Sequence, residues 1–163
     1  VASLLARPDP IHLEDADVDT LIGVAIADMP AAERGRIQVQ RETTTRTVLM
    51  DVSLMRLALR NLLSNALKFS PPGAQVRVRI ADSDEPLGLL IDVSDSGPGV
   101  SPDVQPRLFL RGARGSGRGA GHGLGLYIVQ QVMKLHQGSI ELIHSGPGGA
   151  TFRMTIVQEA LNG

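Results

Sequence analysis

Three residues of one predicted helix carry side chains suited to holding a cation and a phosphate. Asn61, Asn65 and Lys68 lie four and three positions apart. At about 100° per residue they fall on one narrow stripe at the edge of an apolar face. Amide oxygens suit a hard cation, and an ammonium adds positive charge for a phosphate. A second group is Asp95-Ser96-Gly97-Pro98-Gly99, placed where a predicted strand ends. An acid followed by two glycines lets the backbone approach a flat ligand closely while the carboxylate accepts a hydrogen bond. The third is Gly119-Ala120-Gly121-His122-Gly123-Leu124-Gly125-Leu126, which leads straight into a predicted helix. Amides at a helix start, with no side chains in the way, cradle anions. Arg111, Arg114 and Arg118 stand just before it. The glycine loop follows neither the G-x-x-x-x-G-K-[ST] pattern nor the strand-then-G-x-G-x-x-G pattern, so this cradle is of another type. Taken singly, the three groups read as a solvated helix flank, a tight turn and a linker.

The elements that must position these groups follow from periodicity and caps. Residues 52–69 are the strongest helix: Asp51 is its cap, and Leu54, Met55, Ala58, Leu59, Leu62, Leu63, Ala66 and Leu67 form the core-facing stripe. Ser70-Pro71-Pro72-Gly73 ends it. Before it, residues 11–18 are expected as a short edge strand. Asp17 or Asp19 opens a helix to about Glu33, stopped by Gly35. Residues 37–42 and 46–50 are expected to pair as a hairpin of β-branched residues. Residues 75–81 and 87–95 form two further strands joined by a turn at 82–86. Ser101-Pro102-Asp103 opens a short helix to about Phe109. A helix over 123–136, stopped by Gly138, precedes a last hairpin of 139–144 and 150–158. Helices alternating with hairpins predict an α/β (α+β) two-layer sandwich, with three main helices on one face of a mixed, mostly antiparallel sheet.

Composition narrows the functional classes. The 163 residues include no Cys or Trp, are 42% hydrophobic and only 2% aromatic, and carry a net charge of -1. Disulfides, thiolate catalysis and Cys-based zinc sites are excluded. Neither the charge nor the aromatic content supports a nucleic-acid partner. No apolar run approaches the roughly 20 residues of a membrane span. Seven of the 18 glycines fall within residues 112–125, an ordering cost that core packing does not explain.

In this order, the segments resemble the catalytic ATP-binding domain of two-component sensor histidine kinases. That superfamily is shared with gyrase-type topoisomerases, mismatch-repair ATPases and heat-shock chaperone ATPases. Residues 61–70 (NLLSNALKFS) look like its N box and Asp95-Ser96-Gly97-Pro98-Gly99 like its first glycine box. Arg107-Leu108-Phe109-Leu110-Arg111 resembles the F box and Gly121-His122-Gly123-Leu124-Gly125-Leu126 the second glycine box. Gly148-Gly149-Ala150-Thr151-Phe152 is similar to the last one. The match covers roughly residues 11–158.

The resemblance implies roles. Asn65 would hold Mg²⁺ bridging the ATP phosphates, with Asn61 nearby and Lys68 reaching a phosphate. Asp95 would accept from the adenine amino group, with Gly97, Gly99 and Val100 beside the ring and Thr151 assisting. Gly121, Gly123, Leu124, Gly125 and Leu126 would offer amides to the phosphates. The loop before them would form a flexible ATP lid, with Arg114, and less directly Arg118, at the γ-phosphate and Phe109 as its anchor.

Hydrolytic members of the superfamily place a Glu four residues before the metal-binding Asn. This chain has Asn61 there, an amide without useful basicity, so hydrolysis lacks its general base. A histidine acceptor needs positioning rather than a base, which favours a kinase. The alternatives are an ATPase or an anti-sigma-factor Ser kinase of the same superfamily. None of His12, His122, His136 and His144 sits in the family's His-acid-x-basic-x-Pro segment. Residues 1–10 are therefore expected to be the tail of a preceding dimerisation and phosphoacceptor hairpin, and 11–160 the catalytic domain. A chain opening on Val1 reads as a piece of a longer protein. This piece is expected to be soluble, unable to autophosphorylate alone, and part of a membrane-anchored homodimer. It would lie on the cytoplasmic side of the cell membrane and signal to a response regulator.

Overall fold

The computed structural model describes residues 11–110 and 122–158, apart from the side chains of residues 122–124. In chain order the elements are β1 (Glu14–Asp17), α1 (Val18–Ala27), β2 (Ile37–Glu42), β3 (Thr47–Met50) and α2 (Val52–Phe69). Then come β4 (Val76–Asp84), β5 (Leu87–Ser94), α3 (His122–Leu135), β6 (Ser139–Gly146) and β7 (Gly149–Val157). Five strands form one mixed sheet in the order β2-β4-β5-β7-β6, in which only β2 and β4 are parallel. β1 and β3 make a separate antiparallel pair.

Alternation along the strands builds the core. Val76, Val78 and Ile80 of β4, Leu89, Ile91 and Val93 of β5, and Phe152, Met154 and Ile156 of β7 point inward. They meet Met55, Leu59, Leu62 and Leu63 of α2 and Val129, Val132 and Met133 of α3 in one cluster. The alternate positions face the other way and carry charge in register: Arg79 opposes Asp92, Asp92 opposes Arg153, and Arg153 opposes Glu141. Asp92 is 4% exposed and takes Arg153 Nε at 2.9 Å and Arg79 Nη1 at 3.3 Å, while Arg79 also reaches Glu42.

Helix α2 begins as expected. The Asp51 carboxylate accepts from Leu54 N–H at 3.2 Å, and the Asp51 N–H donates to His136 Nε2 at 2.9 Å. Nε2 must therefore be the bare nitrogen, so Nδ1 carries the proton and donates to the Val132 carbonyl at 2.8 Å. Buried His136 thus ties the end of α3 to the start of α2.

Several expectations are corrected. The 37–42 and 46–50 strands do not form a hairpin: β2 pairs with β4, and β3 pairs with β1. The Arg41 guanidinium holds Asp19 and donates to the Thr43 and Thr45 carbonyls at 2.6 and 2.9 Å, turning the chain away. The first strand is shorter than expected, Glu14–Asp17, and lies outside the main sheet. Helix α1 stops at Ala27 rather than near Glu33, because Pro30 follows and Arg34 donates to the free Ala27 and Met29 carbonyls. β4 runs on through 82–84, leaving only Glu85-Pro86 between the strands. Residues 101–109 hold turns and one 3₁₀ turn, Gln105–Arg107, in place of a helix. At the end of α3 the left-handed residue is Gln137 (φ 58°), not Gly138.

Candidate functional site

The end of α2, the loop after β5, the start of β7 and the first turn of α3 come together at one edge of the sandwich. On α2, Asn61 Nδ2 donates to the Leu57 carbonyl at 2.9 Å, one turn back. Its Oδ1 faces Gly125 of α3 so closely that a Cβ at Gly125 would sit 3.2 Å away. Helix α2 and the first turn of α3 are therefore in contact. One turn on from Asn61, Asn65 Nδ2 is buried and, among the described residues, has no hydrogen-bond partner. Such an atom costs free energy unless a ligand satisfies it. Turned over, the same amide presents its oxygen, the donor type a hard cation takes. Lys68 is exposed on the same flank. These residues fit a phosphate chain with a divalent cation.

Asp95 directly follows β5 and is gripped on both sides. Its Oδ1 accepts from Gly97 N–H at 2.9 Å and Ala150 N–H at 3.1 Å, while its own N–H donates to the Ala150 carbonyl at 2.9 Å. Burial raises its pKa above the ordinary aspartate value of 3.8, and the two backbone donors pull it partly back. Two glycines make this packing possible. A Cβ at Gly97 would lie 2.6 Å from the Phe69 carbonyl oxygen at the end of α2. A Cβ at Gly149, where φ is +139°, would lie 2.0 Å from the Asp95 carbonyl oxygen. Gly99 passes close to Gly146. Val100 is half-buried and held by Ser145, whose Oγ accepts from its N–H at 2.8 Å, and by Gln105, which donates to its carbonyl.

The structure brings together Asn61 and Gly125, and joins Asp95 and Gly97 to the end of α2. Gly123 and Leu124 lie in the first turn of α3, where N–H groups have no partner within the helix. Leu126 is buried in the core. Thr151 is the misplaced expectation: its Oγ1 is 2.8 Å from Ser94 Oγ, on the sheet face opposite the helices. Ala150, the inward-facing neighbour, is the residue that meets Asp95. Phe109 packs edge-on against Phe152 at 6.2 Å and 89°, while the segment it was expected to anchor lies outside the described residues. Arg114, Arg118, Gly121 and the lid lie outside the described residues. Ser70 and Ser96 were missed, because a serine in a turn has no period to reveal it. Ser96 N–H donates to Ser70 Oγ at 2.8 Å, and Ser96 Oγ to the Gln75 carbonyl at 2.7 Å.

A fold with this helix-and-glycine arrangement is that of a class of nucleotide-handling domains. Residues 50–160 match the model of the histidine kinase-, DNA gyrase B-, and HSP90-like ATPase family. The chain belongs to that family, as a catalytic ATP-binding domain of the histidine kinase kind. It is 38% identical over 152 residues to the sensor-like histidine kinase SenX3 of Mycobacterium tuberculosis, covering 89% of this chain and 36% of that protein. It is 36% identical over 116 residues to the sensor protein KdpD of Clostridium acetobutylicum, covering 69% of this chain and 13% of that one. The chain thus spans little more than a third of these relatives at most. Among solved structures, the mycobacterial sensor histidine kinase MprB superposes with a TM-score of 0.72 at 31% identity, covering 90% of this chain and 97% of that one. Full-length ShkA in complex with AMPPNP gives a TM-score of 0.78 at 26% identity, covering 95% of this chain and 33% of that one.

Proposed function

We infer that this domain binds Mg-ATP between the end of α2 and the first turn of α3. It transfers the γ-phosphoryl group to a histidine on a helical hairpin outside this chain. The full protein is then a membrane-anchored homodimer that holds this domain on the cytoplasmic side and passes the phosphoryl group to a response regulator. The observation that carries the reading is the buried Nδ2 of Asn65, unpartnered among the described residues, one turn from the contact between Asn61 and Gly125. Bound Mg²⁺ would neutralise phosphate charge as it develops in the transfer. Asn65 would hold the ion, Lys68 would reach a phosphate oxygen, and the first-turn amides of α3 would receive the others. Asp95 would take the base. Asn61 has its Nδ2 committed to the Leu57 carbonyl and no basic group to activate water, which supports a kinase over a hydrolase.

Titration calorimetry tests this. Wild-type protein should bind ATP in a Mg²⁺-dependent manner, and Asn65→Ala should weaken binding by about tenfold or more, the loss of a contact of about 1.5–3 kcal/mol. Absence of wild-type binding at millimolar Mg-ATP would overturn the reading. Phosphorylation of a supplied hairpin fragment on histidine would separate a histidine kinase from a Ser kinase or an ATPase.

A further inference from the structure

The geometry points to Arg36 as a positioning residue for base recognition: its guanidinium clamps the segment from which the Asp95 loop hangs. This rests on the nucleotide reading above. Arg36 ends the 3₁₀ turn Arg34–Arg36 that leads into β2, its hydrogen bonds among the described residues go to none of the site residues, and its side chain is only 10% exposed. Its donors fan out over carbonyls at and beyond the end of α2: Nε to Ala74 at 2.8 Å, and Nη2 to Pro71 at 3.0 Å and more weakly to Leu67, in the last turn of the helix, at 3.5 Å. Nη1 is held by Glu33. A fixed fork of five donors does this, whereas an ammonium has a single centre.

The clamped segment is a turn with its own bond, Ala74 N–H to the Pro71 carbonyl at 3.0 Å, and Gly73 at φ +80°. Its two ends are the groups that hold Ser96. Ser70 Oγ receives the Ser96 N–H at 2.8 Å, and the Gln75 carbonyl receives the Ser96 hydroxyl at 2.7 Å. Ser96 lies between Asp95 and Gly97, the residues assigned to the base. Arg36 therefore acts mainly through residues 70–75 on the aspartate loop, while Asn65 and Lys68 sit on the hydrogen-bonded backbone of α2, to which Arg36 adds one long 3.5 Å contact at the Leu67 carbonyl.

The test compares two probes on the full chain, Mg-ATP and Mg-tripolyphosphate, the latter lacking a base. Arg36→Gln should weaken ATP about tenfold and change tripolyphosphate affinity less than about twofold, and Arg36→Lys should recover part of the loss. Hydrogen exchange read without nucleotide should speed up at the Ser96 and Gly97 amides and stay unchanged at Val78 and Ile91. Equal loss for both probes, or unchanged exchange at Ser96 and Gly97, would overturn the proposal. If Arg36→Gln does not fold, Ser96→Ala must reproduce the selective loss of ATP, and failure to do so overturns it equally. Because the exchange arm needs no nucleotide, a wild type that ignores ATP would sink the functional reading and still leave the clamp decided.

Discussion

Asp95 and Ala150 bind each other in both directions: the Asp95 N–H donates to the Ala150 carbonyl, and the Ala150 N–H donates to Asp95 Oδ1. The β5–β7 ladder is thereby continued one step past its last strand pair, Ser94 and Thr151, with a side chain standing in for backbone. Among the described residues both hydrogen bonds to the carboxylate fall on Oδ1. On the proposed reading, Oδ2 is the oxygen that would receive an N–H of the base.

That division of labour sets a pH dependence. Burial raises the Asp95 pKa, so in the free protein the folded state holds its proton more tightly than the unfolded chain. Its contribution to stability is complete below the unfolded value and is lost as pH rises through the folded one. Ligand binding runs the other way, since a protonated carboxyl is a poorer acceptor. The nucleotide-induced rise in Tm should shrink as pH is lowered through this window. Asp95→Asn should bind ATP at least tenfold more weakly and lose the pH dependence; a mutant profile matching wild type would refute the assignment.

The close approach at Gly149 predicts a structural effect. Alanine there places a Cβ against the Asp95 carbonyl in a backbone conformation that L-residues rarely adopt. Gly149→Ala should cost about 1–3 kcal/mol, lowering Tm by about 2–4 °C per kcal/mol in a thermal melt. Gly148→Ala, with open space around it, should leave Tm almost unchanged.

On the opposite sheet face, Asp92 is buried between Arg79 and Arg153, and its hydrogen bonds raise the pKa of Arg153. Asp92→Ala should destabilise the domain by about 1–3 kcal/mol, below the range for fully buried pairs, because both arginines reach water and Arg79 keeps Glu42. Urea unfolding measures this, and nucleotide affinity extrapolated to the folded state should not change.

Removing the imidazole of His136 would leave the Asp51 N–H buried without an acceptor. His136→Phe should cost about 1–3 kcal/mol in chemical denaturation, with the loss shared between α2 and α3. Faster amide exchange at the Asp51 end of α2 than at its Phe69 end would locate the damage.

What the sequence disclosed depended on whether a local period carried the information. The stripe of α2 repeats over five turns and its Asp51 cap is adjacent, so helix, face and the Asn61-Asn65-Lys68 flank were all readable. The partner of β2 was not, because Ile37 and Val39 announce a strand without saying which strand it borders. Arg41 prevents the hairpin through contacts that no spacing encodes. Thr151 was misassigned although the signal was present: Phe152 faces the core, so period two sends Ala150 inward and Thr151 outward. Pro30 likewise marked the end of α1, while Ala31, Ala32 and Glu33 continued a helix-like composition beyond it.

The parallel pairing of β2 with β4 matters for a chain made from its N-terminus. β2 emerges early but finds its neighbour only after residues 43–75, including all of α2, have been synthesised, so the helix bearing Asn61, Asn65 and Lys68 is enclosed by a non-local closure. During that interval β2 is an unpaired edge open to foreign strands. Its exposed Gln38, Gln40 and Glu42 around a single outlying Val39 make it a poor template for aggregation while it waits.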